Sequence, residues 1–341
     1  MVFYLSYGKR LEDDSNDLNG VLFVLDNFVR DTYPGAHLVD TFPVLDRFPD
    51  WLAWWRVEAR MKHEKEMELY QRLVLEVRKK MFDSGDNLEC FAARLWDQQK
   101  EMSFDLEDIA YVAGSAFEAG TDTTAGTVQW FLMAMVLYPD TMKAAQAELD
   151  SILGTDGKIP PSFSDMQQLP YCYALVKEVF RWSPAAPGGF PHYSDNDDFY
   201  KGYKINRKTM VIPCIWSMHR SEEEYPEPHR FNPDRFLCED KPISGESLTE
   251  GHYGFGFGRR KCPGQYLGAK TIWIGLVRLL WGFNIGPEYD EAGNPLTVDP
   301  DNCTSGMTSK PINFPLQIAP RSAEHERTIR REWDVISKGM L

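Results

Sequence analysis

Between Tyr253 and Gly268 the chain reads YGFGFGRRKCPGQYLG, with five glycines, two arginines and one cysteine directly ahead of a proline. Three chemistries use such residues: a phosphate-cradling loop, a thiol nucleophile and a metal-ligating thiolate. The phosphate reading is weak, because no Lys-Ser/Thr pair follows the glycines and no strand leads into them. A nucleophilic thiol needs a nearby base, and no local pattern supplies a His or Asn partner. The ligand reading uses every residue. Cys262 precedes Pro263, a good first helical residue, so its sulfur would face unpaired backbone N–H groups and the positive end of a helix. That setting lowers a thiol pKa and strengthens hydrogen bonds to a bound thiolate. Gly256, Gly258 and Gly264 let the backbone turn tightly and let a flat cofactor approach without Cβ clashes. Phe255 can cover the sulfur from water, and Arg260 presents a planar fork suited to a carboxylate such as a haem propionate. One thiolate falls short of the four ligands zinc wants, but it is a complete protein contribution to haem iron. A buried turn cysteine with no ligand would leave the glycines and arginines together unexplained.

The pattern Phe255-x-x-Gly258-x-Arg260-x-Cys262-x-Gly264 resembles, at every position, the haem-binding signature of the cytochrome P450 family. Three further stretches match in the family's order: AGTDTT (Ala119 to Thr124), EVFR (Glu178 to Arg181) and FNPDRF (Phe231 to Phe236). The resemblance implies haem b with Cys262 as axial iron ligand, and Phe255, Gly258, Arg260 and Gly264 around it. It implies that Asp122 and Thr123 form the acid–alcohol pair that relays protons to iron-bound oxygen. Gly120 beside them costs roughly 1 kcal/mol against Ala in mid-helix, and in the family this region opens a notch over the iron. Glu178 and Arg181, three apart, share a helix face and with Arg235 would make a buried ion network that fixes the segment carrying Cys262. His192, in GFPHYS, stands where the family often has a cationic propionate contact; it could equally cap a strand. Ser183 to Phe190, Cys303 to Pro311 and Val112 to Ala119 resemble segments lining the substrate pocket, and their small, apolar character suits a bulky lipophilic substrate.

In function the resemblance implies a monooxygenase inserting one atom of O2 into a lipophilic small molecule, with electrons from NADPH–cytochrome P450 reductase. The wording FEAGTDTT, APGGFPH and HYGFGFGRRKCPG is similar to filamentous-fungal enzymes of secondary metabolism. Arg259, Arg260 and Lys261 make a basic spot that could receive an acidic reductase face or serve propionates and solvent alone. The stretch FPDWLAWWR, residues 48–56, stands where family members dip a lid loop into the membrane interface, a boundary Trp favours; it could also be core. The family's place is the endoplasmic reticulum membrane surface. The longest apolar candidate here, Thr123 to Tyr138, falls short of the ~20 residues that span a bilayer, which leaves a cytoplasmic location as the alternative. Two other functions stay open: an inactive haem-binding or scaffolding relative, and a haem-thiolate isomerase or dehydratase that needs no reductase. The match is expected to start at the helix before the substrate-lid pair, so that the fold lacks the family's N-terminal strands and early helices.

These residues must be held by a mainly α fold with a small β part. The 341 residues suffice for a sizeable core, and a net charge of −14 argues against a nucleic-acid binder. Cys90, Cys172, Cys214, Cys238, Cys262 and Cys303 lie far apart with no C-x-x-C pair and no secretory signal ahead of them, so reduced thiols are expected. Apolar periodicity predicts helices over Val21 to Asp31, Trp54 to Met81 (through Val57, Met61, Leu69, Leu73 and Val77), Asp105 to Tyr138, Asp140 to Leu153, Tyr171 to Trp182 and Gln265 to Trp281. Short strands with a turn at Lys201-Gly202 are expected in DDFYKGYKINRKTMVIPCIW, a further strand in INFPLQIAP, and a charged tail after it. The absence of βαβ alternation excludes a Rossmann domain. The organisation expected is one P450-like domain over 1–341, with a helical lid and central-helix region at 1–182 and a strand-bearing, haem-ligand region at 183–341.

Overall fold

The structure is a computed structural model that describes residues 2–11, 15–33, 35–83, 88–237 and 243–337. The chain divides into two compact units, residues 1–123 and 124–341. The division falls inside one unbroken helix, whereas the change of texture in the sequence falls near Ser183. Packing follows where apolar faces meet; texture follows where strands begin.

The first unit holds α1 (Val2–Tyr7), α2 (Asn16–Asp31), α3 (Leu38–Thr41), α4 (Trp54–Asp83), α5 (Phe91–Met102) and the start of α6 (Leu106–Leu137). Helix α2 begins five residues before its apolar pattern because the Ser15 side chain accepts the Leu18 N–H at 3.1 Å and caps the first turn. Only the C-terminal half of the α4 stripe is core. Leu69, Leu73 and Val77 are buried with Trp96 and Ile109, but Val57 and Met61 are 46% and 53% exposed. Trp96 closes the layer by donating its indole N–H to the Val74 carbonyl at 2.9 Å.

The second unit continues through α7 (Pro139–Leu153), α8 (Pro170–Trp182), β1 (His192–Tyr193), β2 (Asp198–Tyr200), β3 (Tyr203–Ile205), β4 (Met210–Val211), α9 (Ile215–Met218), α10 (Gln265–Gly282), β5 (Phe283–Gly286), β6 (Gln317–Pro320) and α11 (Ala323–Ser337). Its core is α8 on α10: Cys172, Leu175 and Val176 meet Trp273, Leu276 and Leu280, with Phe131 and Met135 of α6. The strands form three antiparallel pairs, β1 with β4, β2 with β3 and β5 with β6. At the β2–β3 turn Lys201 and Gly202 both have positive φ, 47° and 84°, as a two-residue hairpin of this twist requires.

The charged tail is a helix. Arg321, just ahead of α11, holds Asp150 of α7 at 2.6 Å, and Thr328 donates to the Gly157 carbonyl at 2.8 Å. Gly157 has φ +68°, and a Cβ there would sit 2.6 Å from Nδ1 of His325, which packs on Trp281 at 4.9 Å. Gly157→Ala is therefore predicted to cost about 2–3 kcal/mol, from backbone strain plus overpacking, read as a lower urea midpoint. An unchanged midpoint would mean that α11 does not lock this loop.

Among the described residues the five cysteines are free; Cys238 lies outside them. No described helix is long and apolar enough to cross a membrane.

Candidate functional site

The cysteine loop is held by backbone bonds. Cys262 donates its N–H to the Phe255 carbonyl at 2.9 Å, and Gly256 donates to the Tyr253 carbonyl at 2.8 Å. Gly256 and Gly258 have φ +71° and +66°, which explains glycine at both positions. Helix α10 starts at Gln265 with Gly264 as its cap, so Pro263 lies in the preceding turn rather than at the first helical position. The thiol also differs from expectation. Cys262 is partly buried, and burial pushes its pKa up, opposed by a hydrogen bond from the Gly264 N–H. Arg259 and Arg260 are exposed, where water screens them.

The donor set and its surroundings fit a thiolate-ligated haem. A Cβ added at Gly256 or Gly258 would meet nothing within 4 Å, and one at Gly264 would lie 3.9 Å from the Cys262 sulfur, so this side of the loop stands open. Phe257, Tyr266 and Leu267 expose apolar surface close by in the chain, and Arg260 offers its guanidinium to solvent. Among the described residues no group of three or more His, Cys, Asp or Glu could cage a metal. A single thiolate suits an ion that arrives with its own ring of nitrogen ligands. Phe255 is not free to swing: its ring contacts Phe180 of α8 at 5.0 Å and His252 at 5.9 Å, anchoring the loop.

Behind the loop lies a buried ion network. Glu178 and Arg181 of α8 are both fully buried and joined by two bonds, Nε to Oε2 at 2.7 Å and Nη2 to Oε1 at 2.8 Å. Arg181 also donates to the carbonyls of His219 and Pro228 at 2.8 and 2.9 Å. Arg235 reaches Glu178 Oε1 at 3.1 Å, and the Asn232 N–H reaches the same oxygen at 2.8 Å. The spacing of Glu178 and Arg181 thus places the expected partners together, and Arg235 joins them.

Two histidines that the motifs did not point to hold the cysteine loop, and His219, whose carbonyl takes Arg181, ties it to this network. His219 accepts the Tyr253 N–H on Nε2 at 2.8 Å, and His252 accepts the Gly254 N–H on Nδ1 at 3.1 Å while its Nε2 donates to the Leu248 carbonyl at 2.9 Å. Burial lowers their pKa values to about 3 and about 4, His219 being pushed further down by His252 and Arg181. Both rings are therefore neutral at pH 7, as acceptors must be. Their only sequence signal is position: each stands just before an irregular stretch, in SMHR and GHYGF.

The remaining expected residues are placed as follows. Asp122 is buried and Thr123 donates its hydroxyl to the Ala119 carbonyl at 2.7 Å, both in the first unit. Gly120 has a packing reason that the sequence did not show: a Cβ there would lie 2.9 Å from Cγ1 of Val2 in α1. His192 is exposed in β1, opposite Val211. The segments 183–190 and 303–311 do come together. Ser309 donates its N–H to the Ala185 carbonyl at 2.9 Å, and its own carbonyl accepts the Trp130 indole N–H at 3.0 Å. Gly126 of α6 lets Lys310 approach, with Cβ contact at 3.4 Å. In the stretch 48–56, Trp51 and Trp54 are 80% and 66% exposed, so they are not core. Arg56 pins that loop through the Phe48 carbonyl at 2.9 Å and Asp50 at 3.1 Å.

The site is thus a loop with one open-sided thiol, tied to a buried Glu–Arg–Arg network under a mainly helical fold. By comparison of sequences, the cytochrome P450 family profile matches residues 1–316, and the chain belongs to the cytochrome P450 family. Cytochrome P450 monooxygenase aneD of Aspergillus aculeatus is 35% identical over 334 residues, 97% of this chain and 62% of that protein. Cytochrome P450 monooxygenase anuE of Penicillium roqueforti is 36% identical over 313 residues, 88% of this chain and 63% of that protein. Another monooxygenase, from Armillaria gallica, is 35% identical over 312 residues, 90% of this chain and 59% of that protein. The chain thus spans about 60% of the length of these curated relatives.

Proposed function

We propose that this protein is a haem-thiolate monooxygenase that inserts one atom of O2 into a lipophilic small molecule of fungal secondary metabolism. The observation that carries this reading is the partly buried Cys262 thiol on a glycine-rich, open-sided loop, backed by the buried Glu178–Arg181–Arg235 network. Haem b held at Cys262 would supply the oxygen chemistry, with NADPH–cytochrome P450 reductase supplying two electrons. Gly258 and Gly264 keep the loop face open for it, and Arg260 and His192 answer its propionates.

The chain's own residues position, seal and move protons. The Asp122 carboxyl and Thr123 hydroxyl hold and pass a proton along α6. The joined segments 183–190 and 303–311 exclude water beside α6, and their small residues leave room for an apolar substrate. The exposed tryptophans of 48–56 suit contact with the endoplasmic reticulum surface, and Arg259 to Lys261 suit an acidic reductase face.

The test is isotopic. With reductase, NADPH and a candidate substrate under oxygen-18 gas, the product is expected to gain a single labelled oxygen. Product formed equally well without NADPH, or labelled from water, would overturn the reading in favour of an isomerase or dehydratase.

A further inference from the structure

Helix α11 lies beyond residues 1–316, the stretch that the family profile matches, and it is fastened at several points within the second unit. Arg321 holds Asp150 of α7 through both carboxylate oxygens, at 2.9 and 2.6 Å, and donates its backbone N–H to the Gly282 carbonyl at 3.0 Å. Thr328 holds the Gly157 carbonyl, and Ile329 fills the space beside Gly282, where a Cβ would lie 3.0 Å from its Cδ1. His325 is wedged between Trp281 of α10 and the Gly157 backbone. Trp281 and Gly282 close the far end of α10, the helix that starts just after the cysteine loop. Helix α11 thus straps the loop after α7 to the end of α10.

The His325 imidazole fits this seat in one protonation state. It is 2% exposed; its Nδ1 lies 2.8 Å from Ser322 Oγ, while its Nε2 is shut off from solvent with no partner among the described residues. Ser322 caps α11, its carbonyl accepting the Glu326 N–H at 3.1 Å and its hydroxyl oxygen the His325 N–H at 3.4 Å. That oxygen has a second lone pair for an Nδ1–H, and its own proton can go to water, Ser322 being exposed. A neutral ring with its proton on Nδ1 therefore leaves only a bare lone pair at Nε2. A second proton would create a buried N–H donor there without an acceptor, at the positive end of a helix. The charged groups around the ring do not answer it, because each carboxylate already has a cation. Asp150 of α7 is held by Arg321, and Asp156, in the loop after α7, by Lys158 at 3.1 Å. In α11 itself Glu324 pairs with Arg327 at 2.5 Å and Glu326 with Arg330 at 2.7 Å. Trp281 of α10 and the strand β6 bring no charge. Burial and the Arg321 guanidinium hold the imidazole below its ordinary value of 6.5, opposed by Asp150, Asp156 and Glu324.

We propose that α11 is a pH-released strap, locked down while His325 is neutral and let go when solvent supplies the ring's second proton. In the released form the ring stands in water and takes that proton near its ordinary value of 6.5, whereas the docked ring resists it. The released form therefore binds the proton first. Docking is at full strength above 6.5 and weakens by up to about tenfold per pH unit below it, levelling once the docked ring is charged as well. Only a proton moves, from solvent to Nε2. Release uncovers Trp281 and parts the Gly157 loop from α10, a local opening that leaves the rest of the unit folded.

Amide hydrogen exchange of the 341-residue chain, corrected for the intrinsic effect of pH, tests this. Protection of α11 is expected to fall roughly tenfold over about one pH unit below 6.5, while that of α8 holds. His325→Gln, which cannot charge, is expected to keep a constant protection across that range. Thr328→Val loses the Gly157 bond but keeps the ring, so release is expected at a higher pH. In nitrogen-15 spectra the docked ring is expected as the Nδ1–H form, titrating below 6.5. Wild-type protection that ignores pH, an equal fall in His325→Gln, a Thr328→Val variant without pH dependence, or a ring that titrates at or above 6.5 each overturns the proposal. If His325→Gln leaves α11 unprotected at every pH, the ring titration decides alone. These readouts need neither haem nor turnover, so their outcome is separate from that of the proposed function.

Discussion

Glu178→Ala is expected to destabilise the second unit by about 3–5 kcal/mol, a large share of the ~5–15 kcal/mol that holds a typical domain. The carboxylate it removes is fully buried and takes bonds from Arg181, Arg235 and the Asn232 backbone. Arg181 would stay buried as an uncompensated cation, because its other partners are neutral carbonyls. Those carbonyls include His219, whose ring holds the Tyr253 N–H, so the damage should spread into the cysteine loop. Denaturant unfolding followed by tryptophan fluorescence reads the loss, Trp182 and Trp273 both lying in this core. A cost below about 1 kcal/mol, the range of surface pairs, would show that water reaches the pair and that it does not hold the loop.

Cys262→Ala is expected to have the opposite profile: loss of thiolate ligation with nearly unchanged stability. Its sulfur is only partly buried, and its backbone bond to the Phe255 carbonyl survives the substitution. The stability change should stay within about 1 kcal/mol, while the spectrum of a thiolate-bound haem disappears. The upward push of burial on the thiol pKa also fixes a sign. Ligation by the thiolate releases a proton, so haem uptake should weaken as pH falls. Uptake that is independent of pH, or a retained thiolate spectrum in Cys262→Ala, would contradict the assignment of this ligand.

The sequence was most legible where chemistry restricts residue choice. The glycines of the cysteine loop, the pairing of Glu178 with Arg181 and the helix boundary at Pro139 each follow from a local physical rule, and each is where the residues predict. What escaped depends on distant partners. Gly120 is small because Val2 lies against it, and Gly114 because Tyr70 does; neither neighbour is near in sequence. Val57 and Met61 fit the stripe of α4 yet face solvent, because periodicity marks a face but not the length over which it is covered. Helix α11 read as a tail since its charges, such as the Arg330–Glu326 pair, mask an inner side holding His325 and Thr328. Pro263 suggested a helix start, yet Gly264 is the cap and Gln265 the first helical residue, and burial raises the Cys262 thiol where a lowered one was expected.

The most direct test of the account is the reduced carbon-monoxide difference spectrum of the 341-residue chain expressed with haem supply. The account predicts the red-shifted Soret band of thiolate ligation, abolished by Cys262→Ala. A chain that binds no haem, or shows only the band of a haem without its thiolate, would contradict it.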